Sequence, residues 1–267
     1  MKLKLRLIPV LLIGVALMYT ACKKLNDGSP QTLPAKTVSS QVALNLSQVL
    51  YGGFGAFDIS GGLNAPAGLG VTRQKLALRL NKGRKINDLG GDITCGMSVD
   101  TSLNYTEAID ATSQATIAGS IKFTFLCTNG VPSGFNVTDN FNVGETTPQV
   151  AATYNLTENL ILQTLNPNDE NANISFSGTF GLSDNIANKT GSKQTTTETY
   201  NYTFTSVLLS PVDAGIISGS ATFSTKGNNA SGTWNCSGTI VFLGNNLAKI
   251  TINGTAYTVN LQTGTVS

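Results

Sequence analysis

From Asp92 to the C-terminus, apolar residues recur at every second position. Ile93, Cys95, Met97 and Val99 share one phase, and Ile117, Ile121, Phe123, Phe125 and Cys127 share another. A period of two puts such side chains on one side of an extended strand and polar residues on the other. Segments of the same kind run over 148–157, 158–165, 173–182, 198–208, 216–225, 232–243, 247–252 and 255–261. Turn-forming residues punctuate them: PNDENA after Leu165, SPVDAG at 210–215, KGNN at 226–229, GNN at 244–246 and Asn253-Gly254 between KITI and TAYTV. Asn-Gly flanked by alternating apolar residues is a strong short-range hairpin signal. The pattern predicts roughly ten strands and almost no crossover helices, hence an antiparallel sheet. Residues 198–261 read as an unbroken five-strand meander.

Before residue 92 the period differs. TVSSQVALNLSQVL, 37–50, sets Val38, Val42, Leu46, Val49 and Leu50 on one helical face, with Ser39 or Ser40 as its cap. It runs into YGGFGAFDISGGLNAPAGLG, 51–70, a glycine-rich loop that presents Phe54 and Phe57. RQKLALRLNKGRK, 73–85, fits a short basic helix or an edge strand.

A weak repeat links distant strands: AGSIKF (118–123), SGSATF (218–223) and SGTIVF (237–242), with a shortened SGTF at 177–180. Gly and Phe stand four apart in the full copies, so both lie on the apolar face. Glycine inside a strand weakens it and marks a bend, a bulge or a close approach. A glycine-rich chain also produces such matches by chance, but their common phase favours curvature. The expected fold is therefore mostly β: a long antiparallel meander forming a strongly curved sheet, half-barrel or barrel, with helix 37–50 at its concave face. A two-sheet β-sandwich has the same strand pattern and is the alternative.

The first residues change where this fold is expected to work. Lys2, Lys4 and Arg6 precede an apolar run from Leu7 to Met18, and Thr20-Ala21 stand before Cys22. A basic start, a short apolar stretch and small residues define a secretory signal over 1–21, too short to span a bilayer. With Cys22 directly after Ala21, the leader resembles a bacterial lipoprotein signal. The ACKK junction, with the Asn/Thr/Gly-rich chain behind it, resembles Bacteroidetes-type outer-membrane or surface lipoproteins. The resemblance implies cleavage before Cys22, lipidation of Cys22 (a palmitate-type acyl anchor) and an outer-membrane location, on the periplasmic face or the cell surface. Residues 22–36, polar with two prolines, then serve as a tether, and 37–267 form one β-rich domain.

Charge and chemistry mainly exclude. Loss of 1–21 removes three of the seventeen basic residues and none of the fifteen acids, leaving a charge near −1. Residues 86–267 carry five Lys against thirteen acids, so nucleic acid is not an expected partner. The basic cluster at 73–85 reads as a solvated face, or as a contact for anionic lipid headgroups. The chain has no histidine, which removes Ser-His-Asp and Cys-His catalysis and histidine-bound zinc. A phosphate-binding glycine loop is not recognisable, and NPNDENAN (166–173) lacks the ligand order of a calcium loop and reads as a turn. Neither an enzyme, nor a metal, nor a cofactor is expected. The Asn-x-Thr triplets follow from alternating Asn and Thr.

Cys95 and Cys127 occupy the apolar phase of consecutive strands. A register that pairs them also pairs Met97 with Phe125 and Val99 with Phe123. They form either a cross-strand disulfide or, with Cys236, three small buried hydrophobes. A curved sheet with a helix on its concave side is similar in architecture to half-barrel lipoprotein carriers, which enclose an apolar cavity. That resemblance implies a hydrophobic or lipid-like ligand lined by Phe123, Phe125, Phe223, Trp234 and Phe242, with Phe54 and Phe57 as lid groups. The competing reading is a structural or adhesive surface lipoprotein with a solid core, whose Asn/Thr faces meet proteins or glycans. A hydrolase is third.

Overall fold

The computed structural model describes residues 31–50 and 95–267, apart from 109, 170, 192, 211, 213, 214 and 262. The leader with Cys22, the glycine-rich loop with Phe54 and Phe57, and the basic segment 73–85 lie outside the described residues.

Among the described residues, one helix precedes ten strands. The helix α1 is Ala35–Leu50. The strands are β1 Ser98–Ala108, β2 Gln114–Thr128, β3 Val131–Thr146, β4 Val150–Thr164, β5 Ile174–Asn188, β6 Thr195–Ser210, β7 Gly215–Asn229, β8 Gly232–Gly244, β9 Leu247–Ile252 and β10 Thr255–Asn260. Each strand pairs antiparallel with its neighbours in sequence, giving a single sheet ordered β1 to β10. Two packed sheets are therefore not what forms: the ladder runs unbroken from each strand to the next. Among the described residues the sheet is open, with β1 and β10 as its edges, and it is not strongly curled.

The strand pattern departs from expectation in three places. Residues 131–146 form a full strand although Pro132, Gly134 and Asp139 interrupt the apolar run. Phe135, Val137, Asp139 and Phe141 still keep period two, and that phase decides the matter. Conversely, 148–157 and 158–165 are one strand, β4, in which Glu158 occupies a buried position between Leu156 and Leu160. At 226–229 the expected turn is the end of β7, and the chain reverses at Ala230-Ser231, where Asn229 Oδ1 accepts from the Ser231 amide at 2.8 Å.

Asn253 and Gly254 both have positive φ, 51° and 78°, as the type I′ turn requires. Asn245 and Asn246 do the same between β8 and β9. In 166–173, Asn166 Oδ1 accepts from the Asn168 amide and Asp169 Oδ1 from the Asn171 amide, two Asx turns. Cys95 and Cys127 are joined by a disulfide with Cα atoms 5.5 Å apart, Val99 lies opposite Phe123, and the Phe125 amide donates to Met97 O.

Helix α1 begins earlier than the sequence suggests. Pro34 O accepts from the amides of Thr37 and Val38, so Ser39 and Ser40 fall inside the first turns and are not caps. Their hydroxyls donate to Lys36 O and to Gly264 O. The segment before the helix extends the sheet. Thr32 bridges Thr233 of β8, at the stretch that the shorter β9 leaves unpaired. The chain then crosses onto the buried face, where Val38, Val42, Leu46, Val49 and Leu50 join one continuous core with β1 to β10. Each fully buried Leu, Val or Phe there contributes about 1.5–3 kcal/mol. No helix among the described residues is long and apolar enough to cross a membrane.

Candidate functional site

The inner face carries four of the aromatic residues expected to line a ligand. Phe123, Phe223, Trp234 and Phe242 are 3–7 % exposed, while Phe125 is half-buried. Their neighbours are glycines of adjacent strands. Gly219 lies opposite Phe242 and Gly238 opposite Phe223, so β7 and β8 exchange a glycine and a phenylalanine reciprocally. A Cβ on Gly238 would sit 2.8 Å from the Phe223 ring. Gly119 faces Phe141 in the same way, and Gly227 lies under Trp234. The Trp234 indole N–H donates to Thr225 Oγ1 at 3.0 Å, and Phe123 meets Phe135 edge-on with centroids 6.0 Å apart. Part of the repeat thus has a packing explanation: Gly119 and Gly238, like Gly227, leave room that a ring from the next strand takes, whereas Gly178 and Gly219 lie against the backbones of Asn159–Leu160 and Ser206–Val207.

Polar groups that the sequence reading did not single out lie on the same face. Asp139 of β3 is opposite Glu158 of β4, and Asp184 of β5 is opposite Glu198 of β6. Asp139, Glu158 and Glu198 are each no more than 6 % exposed. Burial raises Asp139 to about 7. Burial, then the neighbouring Glu198 charge, raises Asp184 to about 8. Burial also raises Glu198, against hydrogen bonds from Tyr200 and Asn229.

From Glu198 the polar line runs along β6 to the helix. The Tyr200 hydroxyl donates to Glu198 Oε2 at 2.8 Å. The rings of Tyr200 and Tyr202 are parallel within 4°. The Tyr202 hydroxyl meets Asn45 Oδ1 at 2.9 Å and Val42 O at 3.4 Å. Burial, then the Glu198 charge, keeps both phenols well above their usual value, so they act as hydrogen-bond donors. The signal for these acids was present in the sequence: Asp139 and Glu158 are in phase with Phe135, Val137, Leu156 and Leu160. Chemically, two buried acids that face each other titrate as a pair. No group of three or more metal-ligating side chains occurs among the described residues.

The outer face is different in kind. One rung crosses every strand: Asp100, Lys122, Thr138, Asn159, Thr179, Thr203, Thr222, Thr239, Thr251 and Ala256. Five consecutive threonines lie side by side on β5 to β9. The parallel rungs carry mostly Ser, Asn, Thr and Gly, interrupted by Ile161, Val241, Lys226 and Lys249; among them Asn142 donates to Asn155 Oδ1 at 2.7 Å. Towards the end of the sheet bounded by the β3–β4 turn, this face sinks into a groove of about 410 Å³.

No family model, no curated protein and no solved structure matches this chain.

Proposed function

We propose that this chain is a non-enzymatic exported lipoprotein, anchored through Cys22 at the outer membrane, whose outer sheet face is its contact surface. The observation that carries the reading is the register of five threonines across β5 to β9, continued by neutral Asn, Ser and Thr on neighbouring strands. Such a face offers hydroxyl and amide groups at strand spacing, about 4.8 Å, with few fixed charges. The inner face supports the same reading, because its aromatic side chains fill notches left by the chain's own glycines. A glycine notch occupied by a neighbouring ring needs no ligand to fill it.

A carrier of a hydrophobic or lipid-like ligand is the second reading. The observation in its favour is backbone bending inside strands: Gly119, Gly178 and Gly219 have φ of 153°, 126° and 128°. The β5–β6 and β6–β7 ladders slip at neighbouring positions, around Phe176/Gly178 and Thr205/Leu208. Repeated bends of this kind are how a sheet turns towards a half-barrel.

The anchor is tested by Cys22→Ser. The variant should leave the membrane fraction for the soluble one; a variant that stays membrane-bound contradicts the lipoprotein reading.

A further inference from the structure

We propose that the outer-face groove at the β3–β4 end is a binding site for a neutral, hydroxyl-rich ligand, one or two sugar units of an uncharged glycan. The proposal rests on the reading of the outer face as the contact surface and names what that surface takes. The groove arises from side-chain size. Two rungs cross β2 to β5 here: Gln114, Thr146, Ala151 and Ala187, and next to it Thr116, Gly144, Thr153 and Asn185. Gly144 and Ala151, on the central strands β3 and β4, are among the smallest side chains in the two rungs. The amide of Gln114 rises on one side and that of Asn185 on the other. A sheet surface becomes concave where short side chains are flanked by longer ones. Thr116 leans over Gly144 closely enough that a Cβ there would come within 2.5 Å of its hydroxyl oxygen.

The ligand class follows from what lines the groove. Its rim is amide and hydroxyl, so it offers donors and acceptors together. No Lys or Arg lines it, which disfavours phosphates, sulfates and carboxylates. The single acid, Glu145, is half-buried, and one carboxyl in partial burial is a poor partner for a cation. The apolar contribution comes from small side chains, not from a greasy wall, which disfavours an acyl chain. A volume of about 410 Å³ lies within the usual range of small-ligand pockets. The next rung, with Asn142, Asn155, Ser183 and Thr199, continues the same chemistry and gives a longer chain somewhere to lie.

The test is calorimetric titration of the soluble Cys22→Ser chain with cellohexaose, maltohexaose and chitohexaose, against an oligogalacturonate as the charged probe. The expected result is binding of at least one neutral hexasaccharide at millimolar concentration or below. Ala151→Trp, which fills the groove, should weaken it roughly tenfold or more. Leu165→Trp, in the exposed β4–β5 turn at the opposite end of the sheet, should leave it unchanged. Should Ala151→Trp not fold, by thermal melting, the double variant Gln114→Leu/Asn185→Leu keeps the size of the rim, removes its amides and should show the same loss. Failure of every neutral sugar to bind, or preference for the galacturonate, overturns the proposal. Binding of a neutral sugar that Ala151→Trp spares also overturns the groove, while leaving the outer face as the working surface.

Discussion

Asp184 is an acid on the wrong side of its strand. Its Oδ1 is buried without a hydrogen-bond partner, and Glu198 stands opposite on β6. The folded chain therefore holds protons that the unfolded chain releases. Asp139 behaves likewise against Glu158. Unfolded aspartates titrate near 4, whereas these are raised to about 7 and about 8. The stability they leave intact is complete below pH 4, declines as pH rises through that window, and levels off above about pH 8. Urea melts between pH 5 and 9 should show stability falling with pH. Asp184→Asn should flatten that slope and gain on the order of 1–2 kcal/mol at pH 9. Stability that rises from pH 5 to 8 would contradict the burial of these groups.

Glycine is the other decisive residue. At Gly119 a Cβ would come 2.1 Å from Asn140 O and 2.9 Å from Phe141 Cα, both backbone atoms, at φ 153°. At Gly254 the added Cβ meets nothing within 4 Å, though φ is 78°. Gly119→Ala should thus cost about 3 kcal/mol or more, and Gly254→Ala about 1–2 kcal/mol, when compared by chemical denaturation. Equal costs would mean that the close approach of β3 to Gly119 is not what the glycine serves.

Among the elements, helix α1 depends most on a single polar contact. Its apolar stripe is buried, but the Tyr202 hydroxyl, reaching Asn45 and Val42 O, fixes where along the sheet it docks. Tyr202→Phe leaves the buried Asn45 Oδ1 without that donor and should cost about 1–3 kcal/mol. Hydrogen exchange should locate the loss in 35–50, with β7 to β9 still protected. Uniform loss of protection would place the effect in the core instead. Elements with strict local chemistry were legible from the sequence: β9, β10 and their Asn-Gly turn are determined by neighbours within six residues. β3 was not, because Pro132, Gly134 and Asp139 each argue locally against a strand and only pairing with β2 and β4 overrides them. The helix start was misread for a similar reason, since Ser39 and Ser40 resemble caps but Pro34 O already satisfies the first amides. Which face of each strand is buried was readable. That the outer face is itself cratered was not, since the groove depends on Gly144 and Ala151 becoming neighbours through the β3–β4 register.

At the scale of the whole molecule, one sheet divides two environments. The inner face combines aromatic rings, several seated on glycines, with acids whose titration burial shifts upward, and α1 lies on it. The outer face is mainly a lattice of hydroxyls and amides, with scattered charges and the exposed Ile161 and Val241. In the function proposed above, the first is structural and the second makes contact. Native mass spectrometry of the soluble Cys22→Ser protein, purified from cells without detergent, tests that division most directly. The account predicts the bare polypeptide mass, unchanged after incubation with a total lipid extract. Extra mass that leaves on organic extraction and proves to be lipid would contradict it, and would make the inner face a binding cavity.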